Sequence, residues 1–142
     1  MLCVRIIVMS MRAKMTIIEA EQIAHVKLYW SYIKNIKNPS EAVKLAAVKQ
    51  DGFAILYIRN PSEAVQLAAV AQNGHVIQYI DNPSEELKLV AVTKHGRAIQ
   101  CIKNPSEEVQ LAAVTQSGWA INHIMYPSER VKIIAELCKE YP

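Results

Sequence analysis

The chain has 142 residues, of which 51% are apolar and 20% charged, with 16 Lys and Arg against 13 Asp and Glu. That makes one domain or one uninterrupted array, excludes intrinsic disorder, and predicts burial of roughly 68% of the surface the unfolded chain exposes. A net charge of +3 is too mild to imply a nucleic-acid partner by itself, and no apolar run reaches the roughly 18 residues of a membrane-spanning helix.

The chain opens with MLCVRIIVMSMRAK. No small-residue cleavage site precedes Arg12 and Lys14, which argues against a secretory signal. Met9, Met11 and Met15 could each initiate, so residues 1–15 read either as an N-terminal extension or as an extended segment capping the first helical unit. The same apolar segment could pair with a second copy and give a homodimer. Cys3, Cys101 and Cys138 are odd in number and lack CxxC spacing, which points to reduced thiols and a cytoplasmic setting.

From residue 39 the chain repeats itself. Pro39, Pro61, Pro83, Pro105 and Pro127 are each 22 residues apart, as are Gly52, Gly74, Gly96 and Gly118. The units are 39–60, 61–82, 83–104 and 105–126, closed by a half unit, 127–142. A worn unit, 17–38, precedes them and keeps Glu19, Ile23, Ala24, Val26, Ile33, Ile36 and Asn38 without the Pro or Gly. A fixed period of this kind marks an all-α solenoid of short helix-turn-helix repeats, about five and a half units over residues 16–142.

Each unit carries its own punctuation. In Asn38-Pro39-Ser40-Glu41, Asn is expected as N-cap, Pro as first helical residue, and Glu as the returning arm of a capping box. Gly52 and its equivalents are expected to end the helix in a left-handed conformation. Helix A then spans about 39–51 and a shorter helix B about 53–59. The LAAV between the caps supplies small residues for close helix approach. Arg130, Lys132, Glu136, Lys139 and Glu140 give the last helix a polar end, as a solenoid terminus requires.

The motif NPSExVxLAAVxQxG resembles uncharacterised 22-residue helical repeats of large phages, giant viruses and some bacteria, and the architecture is similar to short HEAT-like and armadillo-like solenoids. The likeness covers residues 39–142 well. It implies a virus-encoded or accessory protein acting in the cytoplasm (the host cytoplasm, if viral) by binding and blocking a host protein such as an antiviral-defence factor. It carries no activity to transfer.

Comparison among the repeats separates scaffold from candidate reader. In helix B, Ala54, Ile55 and Ile58 and their equivalents form a buried stripe. The opposite side carries Phe53, Leu56 and Tyr57, then His75, Gln78 and Tyr79, then Arg97, Gln100 and Cys101, then Trp119, Asn122 and His123. Offsets of three and four place each trio on one side of its helix. Stacked, they make a stripe rich in the residues that dominate interface hot spots. The partner-binding set is therefore Phe53, Tyr57, His75, Gln78, Tyr79, Arg97, Gln100, Trp119, Asn122 and His123. The opposing reading is that Phe53, Tyr57 and Trp119 fill packing gaps, Tyr57 foremost.

The remaining polar positions have plainer readings. Ala42, Ala64, Glu86, Glu108 and Arg130, with Lys49, Ala71, Thr93 and Thr115, read as a solvated face. Lys44, Lys88 and Lys132, alternating with Gln66 and Gln110, read the same way. No phosphate loop, HExxH or GxSxG occurs, so neither enzyme activity nor a cofactor is expected. The four histidines are His25, His75, His95 and His123; His123 and Cys101, at equivalent positions in a stack spaced about 8–10 Å apart, lie too far apart to share a zinc, so no metal is expected either. A protein partner is the leading expectation. The alternative is nucleic acid held by the basic N-terminal half, where residues 1–60 carry nine Lys and Arg against four Asp and Glu.

Overall fold

A computed structural model describes residues 2–140, with side chains at Met9 and from residue 11 onward. Among these residues the chain forms six α-helices and five 3-10 helices and no strand. They alternate as α1 (Leu2–Leu28), η1 (Trp30–Asn35), α2 (Glu41–Gln50), η2 (Gly52–Tyr57), α3 (Glu63–Gln72), η3 (Gly74–Tyr79), α4 (Glu85–Lys94), η4 (Gly96–Cys101), α5 (Glu107–Gln116), η5 (Gly118–His123) and α6 (Glu129–Glu140). Each α-helix packs on the next, and each 3-10 helix on the next. The result is a two-layered all-α solenoid.

The core is a ladder of equivalent residues. Val43, Ala47 and Val48 are fully buried, as are Val65, Ala69 and Val70 and their successors, and Ala54, Val76, Ala98 and Ala120 face them from the 3-10 layer. A stack one unit thick has much surface for its mass. Its area is 9568 Å2, against about 7,400 Å2 expected for a compact monomer of 15.9 kDa. Burial on folding is therefore about 58%, below the 68% expected for a compact chain of this length. Stability is carried by junctions rather than by one central core.

The helix boundaries differ from the expected 39–51 and 53–59, and the reasons lie in the turn. Ser40, not Asn38, is the N-cap: its Oγ accepts from the Val43 N–H at 3.4 Å, and Ser62, Ser84, Ser106 and Ser128 do the same at 3.2–3.3 Å. Asn38, Asn60, Asn82 and Asn104 instead take the left-handed conformation, with φ of 47° to 50°, which Asn tolerates better than most residues. Pro therefore lies before the cap. Glu41 is the first helical residue, too early for a capping box. Its carboxylate accepts from the hydroxyl of Ser62 in the next unit, and the same bond runs from Ser40 to Glu19 and from Ser106 to Glu85. Ser128 donates to Glu107 at 2.6 Å. Each serine thus caps its own helix, and all but Ser84 also tie it to the unit before.

The glycines are also explained differently. None has a positive φ. A Cβ on Gly52 would lie 2.7 Å from the Ala69 carbonyl oxygen, and one on Gly74 2.5 Å from that of Ala91. Glycine is there because the next unit's backbone leaves no room. Its N–H is used across the junction too. Gly52 and Gly96 donate to Gln72 and Gln116 Oε1, both at 2.7 Å. Where Lys94 replaces that glutamine, Gly74 donates to Nδ1 of the adjacent His95 at 3.3 Å.

The N-terminal segment is helical, not extended. α1 runs through the boundary drawn at residue 15 without a break. Met11, Met15, Ile17 and Ile18 are exposed along it. The side chains of the LCVRIIVM segment other than Met9, including Cys3, lie outside the described residues. At the other end, α6 is less polar than expected, since Ile133 and Leu137 are both exposed.

Candidate functional site

The 3-10 helices present the variable residues. Each begins as the α-helix ends: Asp51 Oδ1 accepts from the Phe53 N–H at 2.9 Å, and Asn73 Oδ1 from the His75 N–H at 3.1 Å. With three residues per turn, side chains at i and i+3 eclipse. Gly52, Ile55 and Ile58 form the buried edge, and Ala54 is buried beside them. This geometry splits the trio expected on one side of an α-helix. Phe53 and Leu56 share one edge, and Tyr57 falls on another.

Stacking turns these edges into two rows. One holds Phe53, His75, Arg97 and Trp119, and the other holds Tyr57, Tyr79, Cys101 and His123. Gln78, Gln100 and Asn122, at the position of Leu56, are exposed on the first edge. Trp119 is 59% exposed, Tyr79 48% and Tyr57 47%. Phe53 is half-buried against the core, as is His75 in its own position. The packing role assigned foremost to Tyr57 therefore falls to Phe53.

The rows touch across junctions. The Phe53 ring meets the Tyr79 ring edge-on, with centroids 6.2 Å apart, and the Trp30 ring approaches that of Tyr57 at 6.2 Å. Trp30 thus extends the aromatic surface into the first unit. Lys139 Nζ lies 5.2 Å from the Trp119 ring, and the His75 ring is 5.7 Å from that of His95. Trp30 and His95 are absent from the set chosen by sequence. The 22-residue offset that found the others places Ser31, not Trp30, opposite Phe53.

The chemistry of this surface is aromatic, amide and imidazole, with Arg97 as its fixed charge. Cys101 is half-buried, and loss of solvent pushes its thiol above the ordinary range, which disfavours the reactive thiolate. Among the described residues no three His, Cys, Asp or Glu side chains are grouped so as to hold a metal ion. No helix of the described residues is long and apolar enough to cross a membrane.

The solvated readings divide. Ala42, Ala64, Glu86, Glu108, Arg130, Lys49, Ala71, Thr93 and Thr115 are exposed. Lys44 and Lys88 are not plainly solvated: their side chains are only 20% and 21% exposed, and they lie 3.9 and 3.1 Å from Glu41 and Glu85. Comparison with family models, curated proteins and solved structures found no match for this chain.

Proposed function

We propose that the protein is a non-enzymatic recognition module that binds another protein through its 3-10 face. The observation that carries this reading is a division of labour among positions. The repeated Asn, Ser, Glu, Gly, Ala and Val positions are consumed by turns, caps and stacking. The large aromatic residues that change from unit to unit stand on the 3-10 face, where Trp119, Tyr79 and Tyr57 remain exposed, although Tyr79 and Tyr57 also meet the rings of Phe53 and Trp30. Large, semi-rigid side chains on a preformed surface bind with little ordering cost. With the repeat likeness to phage and giant-virus proteins, the reading sharpens to an inhibitor that occupies a host protein in the cytoplasm.

The test is capture from host lysate with the native chain and with Trp119→Ala plus Arg97→Ala. A partner held by the native chain and lost by the variant, with an unchanged melt, supports the reading. A partner held equally by both refutes the surface. Retention that tracks RNA or heparin and vanishes with salt would replace it with nucleic-acid binding.

A further inference from the structure

Consecutive units leave a notch between the left-handed turn of one and the end of the 3-10 helix of the next. Three notches form cavities: about 490 Å3 between the first and second units, about 490 Å3 between the third and fourth, and about 640 Å3 between the fourth and fifth. Volumes of this order suit a small organic ligand. The notches share a backbone and differ in charge. The notch between the third and fourth units sets Asp81 against Lys88 and Lys103. The one between the fourth and fifth has Lys103 beside neutral Gln110. The one between the first and second is lined by Lys34, Lys37, Lys44 and Arg59, with no acid.

Stability does not account for this clustering. Like charges round one cavity repel, and the homologous notch between the third and fourth units relieves the repulsion with Asp81 in the place of Lys37, while Lys103 stands in that of Arg59. Lys44 has Glu41 at 3.9 Å. Among the described residues Lys34, Lys37 and Arg59 have no acid within ion-pair distance. Nor is lysine needed at position 44 for the fold. Its counterparts Gln66 and Gln110 hold the same turn by donating to the Pro61 and Pro105 carbonyls, each at 3.1 Å.

We propose that the notch between the first and second units binds the polyphosphate chain of a small molecule, a di- or triphosphate. Four cations, one of them partly offset, match the charge of such a chain better than that of a single phosphate. Guanidinium and ammonium groups are the side chains suited to its oxygens. A nucleic-acid backbone would require the cations to continue along the stack. They do not: the row Lys37, Arg59, Asp81, Lys103, Met125 is broken after its second member. Tyr57, 47% exposed at the cavity, offers a ring to any base attached to the chain. The site shares Tyr57 with the 3-10 face but does not rest on the proposal that a protein docks there.

Calorimetric titration of the full chain at low salt with inorganic pyrophosphate, ATP and adenosine tests this. Pyrophosphate and ATP should both bind and adenosine should not, and tighter binding of ATP than of pyrophosphate would assign the source as a nucleotide. Lys44→Gln and Arg59→Asp, each a residue that another unit carries at that position, should each weaken binding at least tenfold. Lys103→Asp, in the other notches, should leave it unchanged. Amide shifts induced by pyrophosphate in the native chain should centre on residues 34–44 and 57–59. No binding, equal loss on Lys103→Asp, shifts centred elsewhere, or tighter binding of single-stranded RNA at equal phosphate concentration would each overturn the proposal.

Discussion

The first unit and the four that follow share a stacking pattern but not a punctuation. In the later units a serine starts each α-helix and the next unit's backbone forces a glycine at its end. The first unit has neither, and α1 runs for 27 residues where α2 to α5 run for 10. Yet Val26 and Ile33 are as buried as their counterparts, and Glu19 accepts from Ser40 as later glutamates accept from later serines. Stacking and helix length are therefore set by separate residues. A unit can lose its stop signals and keep its place, provided that its core positions remain. Met15, Ile17 and Ile18 of α1 are exposed, and Met15 and Ile18 line a cavity with Asn38 and Ser40 where α1 runs on past the start of α2.

The largest effect is expected where the junction is tightest. Gly74→Val places carbon against the Ala91 carbonyl oxygen, 2.5 Å from the ideal Cβ. The third and fourth units must part, and overpacking of this kind costs about 1–3 kcal/mol or more. A denaturant melt should show it. The first unit sharpens the point, since Trp30 occupies the position of those glycines. Trp30→Gly should give no gain in stability, because it discards the ring that meets Tyr57. An unchanged melt for Gly74→Val would mean that the close approach is not structural.

Next come the left-handed turns. Asn82→Ala keeps φ near 49° with a residue that resists it, at about 1–2 kcal/mol. Tyr126 stands at the same position in the last turn and is not left-handed there. Tyr126→Ala should therefore cost little by this route, and equal costs at both sites would remove φ as the cause.

The repeat, its period and the two-helix unit were legible in the sequence, because Pro, Gly and apolar spacing are local signals. The role of each signal was not. An Asn before Pro reads equally as a cap or as a left-handed turn, and a Gly after a helix reads equally as a left-handed stop or as a gap for a neighbour's carbonyl. Only the neighbour distinguishes them. The serine-to-glutamate bonds were hidden for the same reason, since donor and acceptor lie 21 residues apart. Of the candidate surface, the variable residues could be picked out, but their division into two rows depended on a 3-10 rather than an α-helical turn. The basic notch was hidden altogether, because Arg59 meets Lys34, Lys37 and Lys44 only after two units stack.

A smaller effect is expected from pH. The Glu85 carboxyl is held below its ordinary 4.5, first by the hydrogen bond from the Ser106 hydroxyl and then by Lys88. A carboxyl with a lowered folded pKa favours the folded state above its unfolded pKa and loses that contribution as pH falls through its folded value. Stability should therefore decline as pH falls below about 4.5, and Glu85→Gln should flatten part of the decline. The group is exposed, so the loss at neutral pH should stay below about 1 kcal/mol. A pH profile identical in the native chain and the variant would separate this bond from acid sensitivity.

The smallest effect on stability is expected at Trp119, and its smallness is what matters. The side chain is 59% exposed, and its named contact is Lys139 Nζ, 5.2 Å from the ring. A cation over a solvent-exposed aromatic ring contributes about 0.5–1 kcal/mol, whereas truncating a buried aromatic costs about 3–5 kcal/mol. Trp119→Ala should therefore shift the melt by no more than about 1 kcal/mol. Phe53→Ala, in the same row but half-buried against the core and touching Tyr79, should cost more. Both residues lie on one surface of one scaffold, at equivalent positions three junctions apart. If Trp119→Ala costs as much as Phe53→Ala, the row is scaffold from end to end. If the difference stands and Trp119→Ala still weakens partner capture tenfold, the exposed end of the row is where recognition resides.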